Sequence, residues 1–319
     1  MTSRKVPCDL TLLAITLLCQ SCARSPEHSR PILYTSQAPR GTEDLRVLDP
    51  TSGASALLIA GDSASSRSLA TRSPSGRQLA WVRELSSHDE LYVSDASGMR
   101  PRRLGTGMPA AILFPDWSPE GMRLLVSAGR TPSHPGVYLL DVRTGRAEAI
   151  REDSSSYRCP SWAPDGTRFV VASYQNANSS LLVMNPRGKV LNTLIRSDST
   201  YLDCPQWSPT GDAILFTIFH GGSLSGWERA AFHSNLAVLS LSSGKVTQIT
   251  HDAGLTNYGK WSRDGGWIVF QSDRHAAPNR SEAGASVMLQ HLEIWTVRST
   301  GTELRRLTTN DYFDAHPSW

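Results

Sequence analysis

Five of the six histidines in the second half of the chain, His220, His233, His275, His291 and His316, are the side chains best suited to holding a divalent cation, because neutral imidazole is a common metal ligand. Nothing in their spacing makes a site by itself. There is no His-Glu-x-x-His helix and no nucleophile elbow, so any metal would depend on the fold gathering dispersed residues, and the motifs call for no cofactor. Acids are scattered through turns without the pattern of a calcium loop. The run Trp227-Glu228-Arg229 carries different chemistry. Tryptophan and arginine anchor protein interfaces more often than other residue types, so this run is a binding candidate. Cys159 and Cys204 each precede Pro-x-Trp, at one interval of 45 residues. In an oxidising compartment they would bridge if their Cα atoms come within reach; otherwise they serve as small buried hydrophobes.

That interval belongs to the whole chain. Trp117-Ser-Pro-Glu-Gly121, Trp162-Ala-Pro-Asp-Gly166 and Trp207-Ser-Pro-Thr-Gly211 repeat every 45 residues, with a degenerate copy at Arg72-Ser-Pro-Ser-Gly76 and a later one at Trp261-Ser-Arg-Asp-Gly265. A period in this range marks a solenoid, propeller or array. Within one unit, Trp162 ends a short strand, Pro164-Asp165-Gly166 turns, and Phe169 to Ser173 forms a second strand of high β-propensity. Leu181 to Met184 and Val190 to Ile195 supply the third and fourth. Four antiparallel strands in such a unit make one blade of a β-propeller, and no sustained 3.6-residue period argues for helix.

The ends set the blade count. Ile32 to Thr35 matches a second strand, followed by Leu45 to Leu48 and Leu57 to Ile59, while Asp314-Ala-His-Pro-Ser-Trp319 is a first strand with nothing after it. Placing Pro317 to Trp319 beside Ile32 to Thr35 closes an all-β ring of six four-stranded blades and removes two open sheet edges. Fourth strands are expected to close on Leu104, Ile150, Ile249 and Leu307.

Two insertions, 219–234 and 273–291, lengthen the hairpin between second and third strands in consecutive blades. They would stand side by side on the face that also carries the entries to the first strands. Loops on a rigid scaffold are the usual place for recognition. Three positions before each motif tryptophan stand Phe114, Cys159, Cys204, Tyr258 and His316, with Asp203 and Asp314 close by and Arg274 at the second insertion. Trp227, Glu228, Arg229, Tyr258, Arg274, His316, Asp203 and Asp314 are thus the candidates for a rim and channel-mouth surface.

Upstream, Arg4-Lys5 precedes an apolar stretch from Leu10 to Leu18 and small residues around Ser21-Cys22-Ala23, the order of an export signal. Residues 1–22 are read as that signal, 23–30 as a linker and 31–319 as the propeller. Cleavage before Cys22 would expose an N-terminal cysteine for lipidation; Ser21 suits such a site and Cys19 stands where leucine is usual. Lipidation and simple secretion both stay open. The formal net charge of +3 is spread in short pairs such as Arg102-Arg103, and without basic runs interleaved with aromatics no nucleic-acid partner is expected.

The last full unit reads Trp261-Ser-Arg-Asp-Gly265, Ile268-Val-Phe270, Glu293-Ile-Trp295 and Arg306-Leu-Thr308, then Asp314-Ala-His-Pro317. This resembles the TolB-like periplasmic β-propeller repeats over essentially all of residues 31 to 319. The resemblance implies a periplasmic protein or a membrane-anchored lipoprotein. Tol members of the family carry a mixed α/β domain before the propeller, for which the residues between Cys22 and Ile32 leave no room. The expected function is therefore a non-catalytic binding module for another protein or an envelope ligand. The alternative is a metal-dependent propeller enzyme, a polysaccharide lyase or hydrolase, using the histidines above.

Overall fold

The computed structural model describes residues 30–37, 41–176, 178–220, 233–251, 254–275, 292–310 and 312–319. Their strands form six antiparallel sheets of four strands each, the six-bladed architecture that the repeat predicts. The first blade takes its inner strand, Asp314–Ser318, from the far end of the chain; it pairs with Ile32–Gln37 through Leu33↔Ser318, Thr35↔Ala315 and Ser36↔Asp314. The Trp319 indole donates to the Lys260 carbonyl at 3.2 Å, tying this clasp to the sixth blade.

Six apolar clusters hold the ring, one between each pair of neighbouring blades. Strand alternation feeds two of them at once: Ile32 and Tyr34 pack towards Val269 and Ile294 of the sixth blade, while Leu33 packs towards Leu79 and Trp81 of the second. A second strand is therefore covered on both faces, which is why Phe169–Val171, Ile214–Phe216 and Trp267–Phe270 are unbroken apolar runs. Outer strands are far more exposed, as in Val190–Ser197. The outer strands of the fifth and sixth blades, Val246–Gln248 and Arg305–Arg306, end just before the expected Ile249 and Leu307. Both residues still donate to the third strand, to Leu236 O at 2.7 Å and Ile294 O at 2.8 Å.

The Ser-Pro-Asp-Gly turns explain the motif. The serine hydroxyl accepts the N–H five residues on, at 2.9 Å for Ser118 and Arg123 and 2.9 Å for Ser262 and Trp267. The glycine closes the turn in the left-handed region, with φ of 67° at Gly166 and 78° at Gly211, where a β-carbon is disfavoured.

Every inner strand also breaks register, at Ser68/Thr71, Leu113/Asp116, Arg158/Ser161, Asp203/Gln206 and Asn257/Lys260, and between Leu33 and Thr35 opposite the clasp strand. One residue in each bulge has positive φ: Leu69, Phe114, Cys159, Cys204, Tyr258 and His316, at 45–54°. Left-handed backbone costs a residue with a β-carbon about 1–2 kcal/mol, so the ring of packed blades holds a strained conformation six times over. In the sixth blade Gly259 follows the bulge, and a β-carbon there would come within 2.9 Å of Leu215 and 3.1 Å of Leu236.

Candidate functional site

The bulges place their side chains around the central axis. Phe114 and Tyr258 come from the third and sixth blades, on opposite sides of a six-membered ring, and their rings stack with centroids 5.6 Å apart. This stack spans the axis of the channel. His316 meets Tyr258 edge-on at 5.0 Å, and the Arg158 guanidinium lies 5.3 Å from the Phe114 ring centre. Burial pushes the His316 imidazole down to about 4, so it is neutral near neutral pH, and raises the Tyr258 hydroxyl above its ordinary value.

Towards the insertion-bearing face, Arg158 Nε lies 3.7 Å from Asp203. Asp203 also accepts from the Tyr174 hydroxyl at 2.7 Å and from Cys204 N at 2.8 Å. Tyr174 stacks flat on Tyr201 at 4.3 Å. Burial opposes the Arg158 charge, but Asp203 and the Tyr258, Tyr174 and Tyr201 hydroxyls together outweigh it and the guanidinium holds its proton more firmly than usual. Phe114, Arg158, Tyr174, Tyr201, Tyr258 and His316 are all half-buried, so together they form a continuous aromatic and cationic surface around the axis.

Beside it, Cys159 and Cys204 are joined as a disulfide across the fourth and fifth blades, with Cα atoms 4.7 Å apart. Adjacent inner strands can sit too far apart for a bridge; here the inward bulges bring these two positions within bonding range.

The remaining candidates separate. Asp314 is buried at the clasp, accepts from Asn310 Nδ2 at 2.8 Å, and is pushed up to about 6 by burial. Arg274 lies over the Phe270 and Trp295 rings at 5.1 and 4.9 Å and donates to Thr256 Oγ1 at 3.3 Å. His220 and His233 are cross-strand neighbours with stacked rings 4.8 Å apart, while His275 lies 6.5 Å from the Trp295 ring. Trp227, Glu228, Arg229, His291 and Cys22 lie outside the described residues. Among the described residues, one trio of metal-capable side chains has its ligand atoms within 4.8 Å of one another: Cys159, Asp203 and Cys204, whose sulfurs are bonded to each other.

On the opposite face, where the Ser-Pro-Asp-Gly turns lie, the channel opens into a cavity of about 220 Å³ ringed by Trp117, Trp162, Trp207, Trp261 and Trp319. The residue before each tryptophan points into it: Asp116, Ser161, Gln206, Lys260 and Ser318, with Thr71 in the second blade. Desolvation raises the Asp116 carboxyl and lowers the Lys260 ammonium, and each is partly restored by the other's charge. Sequence reasoning passed over this pair, together with Arg158, Tyr174 and Tyr201. The signal was available, since Asp116 and Lys260 are the charged residues at one fixed repeat position.

The TolB beta propeller domain family matches residues 71–231. No curated protein matches the chain. Among solved structures, putative TolB from Agrobacterium tumefaciens superposes with a TM-score of 0.60 at 18% identity, over 89% of this chain and 96% of that one. Kuenenia stuttgartiensis hydrazine synthase gives 0.66 at 11%, over 92% and 46%. An oligogalacturonate lyase in complex with manganese gives 0.50 at 14%, over 88% and 73%. Identities this low carry the fold and leave the chemistry of those proteins with them. The family match covers half of the chain, from the second blade into the fifth, over the repeats whose turns and bulges build the channel, and the chain belongs to the TolB β-propeller domain family.

Proposed function

We propose that this chain is an exported, non-catalytic binding propeller that takes another protein or an envelope component on the face bearing the two insertions. The observation that carries the reading is the half-buried patch of Tyr174, Tyr201, Arg158, Phe114, Tyr258 and His316 centred on the axis. Aromatic and arginine side chains held rigidly by one another make efficient interface anchors, because little side-chain freedom is lost on contact. The acid in the patch, Asp203, is engaged by Tyr174 and Arg158, which suits recognition better than proton transfer. Export rests on the signal-like residues 1–22, with 23–30 as linker and Cys22 as the point of lipid attachment if the signal is of the lipoprotein kind. Mass measurement of the mature N-terminus reads both.

The binding test is co-purification from an envelope extract with the intact chain, with Tyr201→Ala, and with Arg187→Ala on the opposite face as control. A partner retained by the intact chain and by Arg187→Ala but lost with a folded Tyr201→Ala supports the assignment. Equal recovery of every partner by all three overturns it.

A further inference from the structure

We propose that the tryptophan-ringed mouth on the turn face is a separate binding site for a small zwitterion, its cationic group at Asp116 and its carboxylate at Lys260. The two side chains stand at the same repeat position in the third and sixth blades and therefore face each other across the axis. They sense each other's charge, yet no ion pair forms between them within 4.0 Å among the described residues. The rigid inner strands hold them apart. Lys260 has no hydrogen-bonding partner for its ammonium group among the described residues. Asp116 spends one oxygen, Oδ2, on the Trp162 backbone N–H at 2.8 Å.

The tryptophans that line the same cavity differ in their indole N–H groups. The indole N–H groups of Trp162 and Trp207 are buried without a partner, whereas those of Trp117, Trp261 and Trp319 donate to the preceding blade's carbonyls at 3.2, 3.4 and 3.2 Å. Phe114 and Tyr258 line the adjoining space along the axis, which shares Gln206, Lys260 and Ser318 with this cavity, and the cavity's volume of about 220 Å³ is below the usual range for drug-sized ligands. Charge decides the ligand class. A simple anion would satisfy Lys260 and be repelled by Asp116, and a simple cation would meet the reverse, whereas a ligand carrying both charges compensates two desolvated groups at once.

The test is titration calorimetry of the full chain with glycine, γ-aminobutyrate and 6-aminohexanoate, against acetate and methylammonium as single-charge probes. At least one zwitterion is expected to bind tenfold or more tightly than either single-charge probe, with the optimum set by charge separation. Asp116→Asn and Lys260→Met should each bring that zwitterion down to the single-charge level, while Tyr201→Ala leaves it unchanged, which separates this site from the insertion face. Single-charge probes binding as tightly as every zwitterion, or no zwitterion binding to the native chain, overturns the proposal. The panel on the native chain decides the matter even if a variant fails to fold.

Discussion

Replacing both bridged cysteines, Cys159→Ala with Cys204→Ala, probes how the ring is held together. The cross-link spans 45 residues, one full repeat. For a closed loop of that length, chain entropy removed from the unfolded state stabilises the fold by about 4 kcal/mol. Spread over a chain of 319 residues, this corresponds to a melting shift of about 6–8 °C. Alanine also deletes two buried sulfur atoms, so the double variant alone overstates the cross-link. Native protein in reductant isolates it, because the sulfur atoms stay and only the bond is lost. Urea unfolding followed by tryptophan fluorescence, on oxidised, reduced and double-variant protein, gives the three free energies. Oxidised protein should exceed reduced by about 4 kcal/mol, and the double variant should fall at or below reduced. Peptide mapping must first show the Cys159 and Cys204 peptides joined. Oxidised and reduced protein unfolding within 1 kcal/mol of each other would refute the reasoning, because the bridge would then constrain nothing that the blades do not already constrain.

Deleting Asp314–Trp319 should leave Ile32–Gln37 as an open, apolar edge, seen as association in size-exclusion chromatography; a stable monomer would contradict the clasp. Gly259→Ala should cost about 1–3 kcal/mol by overpacking against Leu215 and Leu236, read from the urea midpoint. His316, held at about 4 against 6.5 when unfolded, keeps the folded chain short of one proton between those values. Its contribution is therefore lost as pH falls from 6.5 to 4, by of order 3 kcal/mol over the whole window. Buried Asp314, raised to about 6, and Glu43, raised to about 7, act in the opposite sense, losing stability as pH rises through the same region. The comparison is accordingly between native protein and His316→Gln, whose stability difference should shrink on acidification; a difference independent of pH would contradict a buried neutral imidazole.

The architecture was legible because it is written in turn chemistry. Serine, proline and glycine at fixed offsets have local reasons to be where they are, and Asp314-Ala-His-Pro-Ser-Trp319 repeats the first-strand sequence and pairs with Ile32–Gln37. The site was legible only in its members. Phe114, Tyr258 and His316 stand out at one repeat position, but that Phe114 stacks on Tyr258 follows from a half-turn around the ring, and no spacing within one unit expresses it. Asp116 and Lys260 were missed for the same reason. They share a repeat position, but they are 144 residues apart in sequence and are brought face to face only by the closure of the propeller.

The six left-handed bulges separate the shape of the channel from the identity of its lining. Register and backbone conformation repeat in every inner strand, whether the residue there is Leu69, Phe114, Cys159, Cys204, Tyr258 or His316. An aperture built this way can be widened, narrowed, charged or cross-linked one position at a time without redrawing a blade. In engineering terms the plug is a six-place dial on a fixed frame, and its present setting, two opposed aromatic rings and one bridge between neighbours, is one choice among many that the frame would hold.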